Sequence, residues 1–184
     1  MNTTKSLLAV SLAATLVLGL GFVPALAAPE YATVTSATAT EKGGSLKLSV
    51  TTDGNIPRFP DAFVNDDALV FGYAWADLDS GNVILATLHP QIGRDSNQNP
   101  DAWHTHPATL GNEGQTSDFC VLSIGTSQGG IQIKGDTLSL NISSNQAGVS
   151  VDDLDGAVGF TVVVDDDCTS TLGVNITAPP VGFS

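Results

Sequence analysis

The chain holds three histidines, and all of them fall between positions 89 and 106. His89 closes the apolar run "NVILATLH", while His104 and His106 stand one residue apart in "DAWHTHPATLG". Neutral imidazole is a good ligand for zinc, copper, nickel and iron. In an extended segment, residues i and i+2 project to the same side and sit roughly 6.5 Å apart. His104 and His106 are thereby placed to converge on one ion, with Trp103 and Thr105 facing the other way. Consecutive strands are usually neighbours. A strand that ends at His89 and returns through 90–101 to pair with 102–106 brings a third imidazole to the same point. A fourth position is then left for water or a carboxylate, with Glu113, Asp101 and Asp95 the nearest acids in sequence. The competing reading makes these histidines polar rim residues beside Pro90 and Pro107, each ending or edging a strand.

Sulfur chemistry narrows the choice of metal. Cys120 and Cys168 are the only cysteines, and Met1 is the only methionine. In an exported chain such a pair is expected to form one disulfide, which removes thiolate from the ligand set. A blue-copper site with an axial methionine is excluded once Met1 is cleaved away. Zinc or copper(II) held by imidazole is the expected centre. An open coordination position would let bound water support hydrolytic or redox chemistry; a closed one would sequester the ion or use it for stability.

The H-x-H spacing is similar to the cupin signature, in which a glutamate follows a few residues later. Here the only following glutamate is Glu113, and the third histidine precedes the pair. Copper/zinc superoxide dismutases resemble the chain in H-x-H, disulfide, acidity and size. The glycine before their H-x-H is absent here, and three histidines are too few for a two-metal site. Neither family is assigned.

Oxygen ligands form a second candidate. Asp95, Asn97, Asn99 and Asp101 alternate as at the start of an EF-hand calcium loop. Pro100 stands where that loop turns on glycine, and no glutamate occupies the twelfth place. A calcium-stabilised loop here competes with the ordinary use of Asp and Asn in turns. "DLDSGN" (77–82) is a weaker echo of the pattern. "GTSQG" (125–129) satisfies G-x-S-x-G, but a nucleophile elbow needs a helix after it. The following "GIQIKGD" reads as a strand, so a hairpin turn explains these glycines better.

The elements that must position these residues are strands. Two-residue alternation bounded by Gly, Asp, Asn and Pro recurs over 45–52, 68–77, 82–89, 118–125, 130–135, 137–143, 157–164 and 172–177. "LDSG" reads as the turn of a hairpin joining 68–77 to 82–89. Residues 30–40 are expected as an edge strand, open to pairing with another chain. The long segment 53–67 is expected to cross between sheets as a Greek-key arm, and the tail to run loose or pack along an edge. Together these predict an all-β, antiparallel, Greek-key-like β-sandwich of about nine short strands with one disulfide.

Residues 1–27 read as a signal peptide: a lysine, an apolar run, then Ala25-Leu26-Ala27 as a small-x-small cleavage site. What remains, 28–184, is one domain in size, with a secreted, extracellular or periplasmic-type destination. Cleavage removes Lys5 and no acid, leaving 5 basic and 19 acidic side chains and a net charge of −14. Such a surface disfavours nucleic acid and anionic membranes. No segment after the signal is apolar enough to insert in a bilayer. Metal binding is the leading function. The alternative is an extracellular structural, adhesive or self-assembling module, calcium-stabilised or not, that associates through its edge strand.

Overall fold

A computed structural model describes residues 29–58, 70–89, 102–111, 116–126 and 129–184. The signal-peptide segment and the whole of the proposed calcium loop, 95–101, lie outside them. The described residues form eleven strands: β1 (Val34–Lys42), β2 (Ser45–Thr52), β3 (Val70–Ala76), β4 (Asn82–Leu88), β5 (His104–Gly111), β6 (Phe119–Ile124), β7 (Gly130–Lys134), β8 (Thr137–Ser143), β9 (Gly156–Val164), β10 (Leu172–Ile176) and β11 (Val181–Gly182). One helical turn, Ser144–Ala147, and two 3-10 turns complete the described secondary structure. No helix among the described residues is long and apolar enough to cross a membrane.

All ladders between strands are antiparallel. Strands β1-β2-β8-β7 form a four-stranded sheet. The second sheet runs β10-β6-β5-β4-β3-β9-β11, and β10 also pairs with β9. That extra pairing closes β3, β4, β5, β6, β10 and β9 into a six-stranded barrel. The predicted β-sandwich is corrected accordingly: a flat sheet packs against one wall of a barrel. Alternation along single strands cannot distinguish the two, because closure depends on β10 meeting both β6 and β9.

Two cores follow from this arrangement. Between sheet and barrel, Leu46, Leu48 and Val50 of β2 and Leu138, Leu140 and Ile142 of β8 meet Phe71, Tyr73, Trp75 and Ile84 of the barrel wall. Inside the barrel, Val83, Leu85, Val121, Val158, Phe160 and Val162 pack together. Strands β3 and β4 are buried on both faces. That explains why "VFGYAWA" and "NVILATL" are apolar throughout rather than alternating. Gly72 lies opposite Phe160 in the ladder. A Cβ there would stand 2.5 Å from Ala86 O and 2.8 Å from the Phe160 ring, so only glycine admits the phenyl across the barrel.

The hairpin predicted over "LDSG" is present. The Asp77 carboxylate accepts bonds from Asp79 N, Ser80 N and Ser80 Oγ, and Gly81 supplies a φ of +73°. These acids act as turn formers, as Asp does generally. The expected hairpin between 118–125 and 130–135 is not formed. Strand β6 lies in the barrel and β7 at the edge of the flat sheet, so the Gly-rich link passes from one sheet to the other. The segment between β2 and β3 likewise connects the two sheets, as expected, although its residues 59–69 lie outside the description.

Cys120 of β6 and Cys168, in the turn between β9 and β10, form the expected disulfide. It sits beside the shortest ladder of the barrel, where β6 and β10 share only the pairs Gly173↔Cys120 and Val174↔Phe119. Strand β1 is an edge strand as expected. The tail packs along it through a bridge between Ala37 and Phe183.

Candidate metal centre

Strand β4 pairs with β5 in the register Thr87↔His104 and Leu85↔His106. This neighbouring arrangement is the one required for convergence. His89 lies just beyond the end of β4, two residues on from Thr87 and so on the same side of the chain. Trp103 and Thr105 face the flat sheet. Trp103 stacks on Tyr73 with 5.6 Å between ring centroids and 8° between planes. Its Nε1–H donates to Pro57 O at 3.0 Å. Thr105 Oγ1 accepts from Gly129 N at 3.0 Å. Both anchors hold β5 so that its two histidines turn inward.

The three imidazoles are buried, each at most 5% exposed. Their ring centroids are 4.5 Å (89–104), 4.9 Å (104–106) and 6.0 Å (89–106) apart. One ligating nitrogen from each lies within 4.8 Å of the other two. The group is therefore able to hold a metal ion. The reading of these residues as rim histidines is not what the structure shows. Pro107 lies inside β5 rather than at its end. The pairing of β5 with β6 begins only at Ala108.

Hydrogen bonds fix two of the tautomers. His104 Nδ1–H donates to Ala102 O at 2.7 Å, and His106 Nδ1–H donates to Gly125 O at 2.8 Å. A carbonyl only accepts, so in each ring the proton sits on Nδ1 and the lone pair on Nε2. Metal-binding histidines characteristically carry such an outer hydrogen bond, which orients the ring and raises its basicity. His89 Nε2 lies 2.6 Å from His104 Nε2. Without a cation, the His89 N–H donates across that gap. With one, His89 takes the other tautomer and both lone pairs face the ion. Tetrahedral zinc with bonds of about 2.05 Å sets ligand nitrogens roughly 3.3 Å apart. Side-chain shifts on the order of 1 Å bring the three rings to that spacing.

Glu113, Asp95, Asn97, Asn99 and Asp101 lie outside the described residues. Sequence reasoning did not single out Thr87, which is 2% exposed and lines the same cavity as His89 and His106. Nor did it identify the carbonyls of Ala102 and Gly125. The only available signal for Thr87 was its two-residue spacing from His89. The G-x-S-x-G match is followed by strand β7, with no helix, so it is not a nucleophile elbow. Compared with known proteins, the chain matches no family model, no curated protein and no solved structure.

Proposed function

We propose that the protein is an exported metal-binding protein holding one zinc or copper(II) ion through His89, His104 and His106. The observation that carries the reading is convergence in a buried place. Two rings have their Nδ1 protons committed to backbone carbonyls, so their Nε2 lone pairs turn toward the third ring. Burial of three imidazoles with no carboxylate among the described ligand candidates suits a borderline cation better than calcium or magnesium. Three protein ligands leave a fourth position for water or an added ligand, the pattern of reactive rather than closed zinc sites. The apolar leader of residues 1–27 supports delivery outside the cytoplasm, where the disulfide is stable.

Metal analysis of purified protein tests this. The wild-type chain is expected to retain one equivalent of zinc or copper after gel filtration, and His104→Ala/His106→Ala none. Cobalt(II) should give intense visible bands of a four-coordinate ion in the wild type and lose them in His89→Ala. Circular dichroism of each variant verifies the fold. Equal, substoichiometric metal in wild type and variants would overturn the assignment. Because imidazole must be neutral to coordinate, affinity is expected to weaken in acid.

A further inference from the structure

The barrel is not filled. Its interior contains a cavity of about 630 Å³, within the range of roughly 300–1,000 Å³ typical of small-molecule sites. The wall positions are held by small or medium aliphatic residues such as Ala74, Val83, Leu85, Val121 and Val158. His89, His106 and Thr87 line the space. So do Asp77, Asp79 and Asp155, at and beside the β3–β4 hairpin.

Thr87 supplies an independent pointer to a ligand. Its Oγ1 is buried and makes no hydrogen bond among the described residues. A buried hydroxyl without a partner costs on the order of 1–3 kcal/mol, so the position is one where a bound molecule gains by supplying a partner. Leu78, on the hairpin turn, is 63% exposed and also lines the cavity. An exposed leucine beside an apolar space forms a greasy lip.

We propose that the barrel interior is a binding chamber for a neutral, mainly apolar small molecule carrying one hydrogen-bonding group, which it presents to Thr87. This goes beyond the metal assignment and does not depend on it. The chamber has about four times the volume of a ~150 Å³ cavity that accepts one benzene. A ligand of roughly 15–25 non-hydrogen atoms therefore fits. Charge selects against anions. Asp77 is held ionised below the usual carboxylate range, chiefly by the Ser80 hydroxyl and then by backbone N–H groups, and Asp155 accepts from Leu78 N across the same rim. A carboxylate or sulfonate would meet these acids on entry and lose its hydration inside. A metal on His89 and His106 would lie in the chamber wall, within reach of the occupant.

The probe is N-phenyl-1-naphthylamine, a neutral aromatic amine whose N–H can donate to Thr87 Oγ1. Its sulfonated analogue, 1-anilinonaphthalene-8-sulfonate, is the anionic comparison. One equivalent of the neutral probe is expected to bind saturably with a blue-shifted emission, at least tenfold more tightly than the sulfonate. Ala74→Leu places its added carbons in the chamber. It should fold with an unchanged or higher Tm and weaken probe binding at least tenfold. Thr87→Val should keep or raise Tm and weaken binding several-fold. Absence of saturable binding, equal binding of the two probes, or undiminished binding by Ala74→Leu would overturn the chamber. Undiminished affinity in Thr87→Val would overturn the polar contact. Titrations are run on chelator-treated, zinc-loaded and copper(II)-loaded protein. Probe binding with uptake of neither metal sinks the metal assignment alone; uptake of either metal with no probe binding sinks the chamber alone.

Discussion

Removing the disulfide gives the most quantitative test of how the barrel is held closed. Cys120 and Cys168 are 48 residues apart. The chain-entropy relation gives about 4 kcal/mol for a loop of that length. For a domain of about 150 residues, each kcal/mol moves Tm by roughly 2–4 °C. Cys120→Ala/Cys168→Ala is therefore expected to melt about 8–16 °C lower than the wild type. The structure adds a location to that number. Strands β6 and β10 meet through only two residue pairs, whereas β10 shares five with β9. The disulfide fastens the weak side of the seam, since Cys120 itself pairs with Gly173. Calorimetry gives the Tm difference, and hydrogen exchange at Val174, which lies two residues from Ile176 and so on the same side as its bond to Asp118, reports the seam. That amide should exchange faster in the variant than amides of the β3–β4 ladder. A Tm drop below about 3 °C, or uniform acceleration across the barrel, would refute the argument that the covalent link closes the seam.

Two pH predictions follow from buried groups. Asp165 is 3% exposed and its carboxylate accepts from Ser117 Oγ at 2.6 Å and from Asp167 N at 3.0 Å. The Ser117 hydroxyl, then that of Thr116, holds its pKa below the usual value. Its contribution is thus fully present above the unfolded value of about 3.9 and is lost as pH falls through the lower folded value. Asp165→Asn should lower Tm at neutral pH and converge with wild type in strong acid; parallel Tm curves from about pH 2 to pH 7 would contradict this. Tyr31 and Tyr73 are the only tyrosines, and burial raises the pKa of both, most for Tyr73, whose hydroxyl donates to Tyr31 O at 2.6 Å. Their contribution is full below the unfolded value of about 10 and lost as pH rises past it. At pH ~10 the folded chain should show less than half the phenolate absorbance of the urea-unfolded chain.

Much of the secondary structure was legible because alternation is a local signal. Leu46, Leu48 and Val50 on one face of β2 give both the strand and its buried side. The Asp77–Gly81 turn is legible for the same reason, since its hydrogen bonds lie within a few residues. The link from β6 to β7 was not legible. Gly125, Gly129 and Gly130 permit a hairpin as readily as a passage between sheets, and the choice depends on where β5 and β8 already lie.

What the sequence determined by itself was therefore composition and period: an all-β chain, a cysteine pair, and two histidines forced to one side of a strand. A strand's two-residue repeat sets which way a side chain points, whatever it packs against. Tertiary structure alone decided that β10 meets both β6 and β9, making a barrel of what would otherwise be an open sheet. It also decided that Thr87 faces His104 in the ladder, and that Gly125 O reaches the His106 ring. The two histidine contacts join residues 17 and 19 positions apart, the β6–β10 pairs residues more than 50 apart, and no local pattern encodes them. They arise when apolar faces from distant segments find the same core, which is a property of the whole chain packed together.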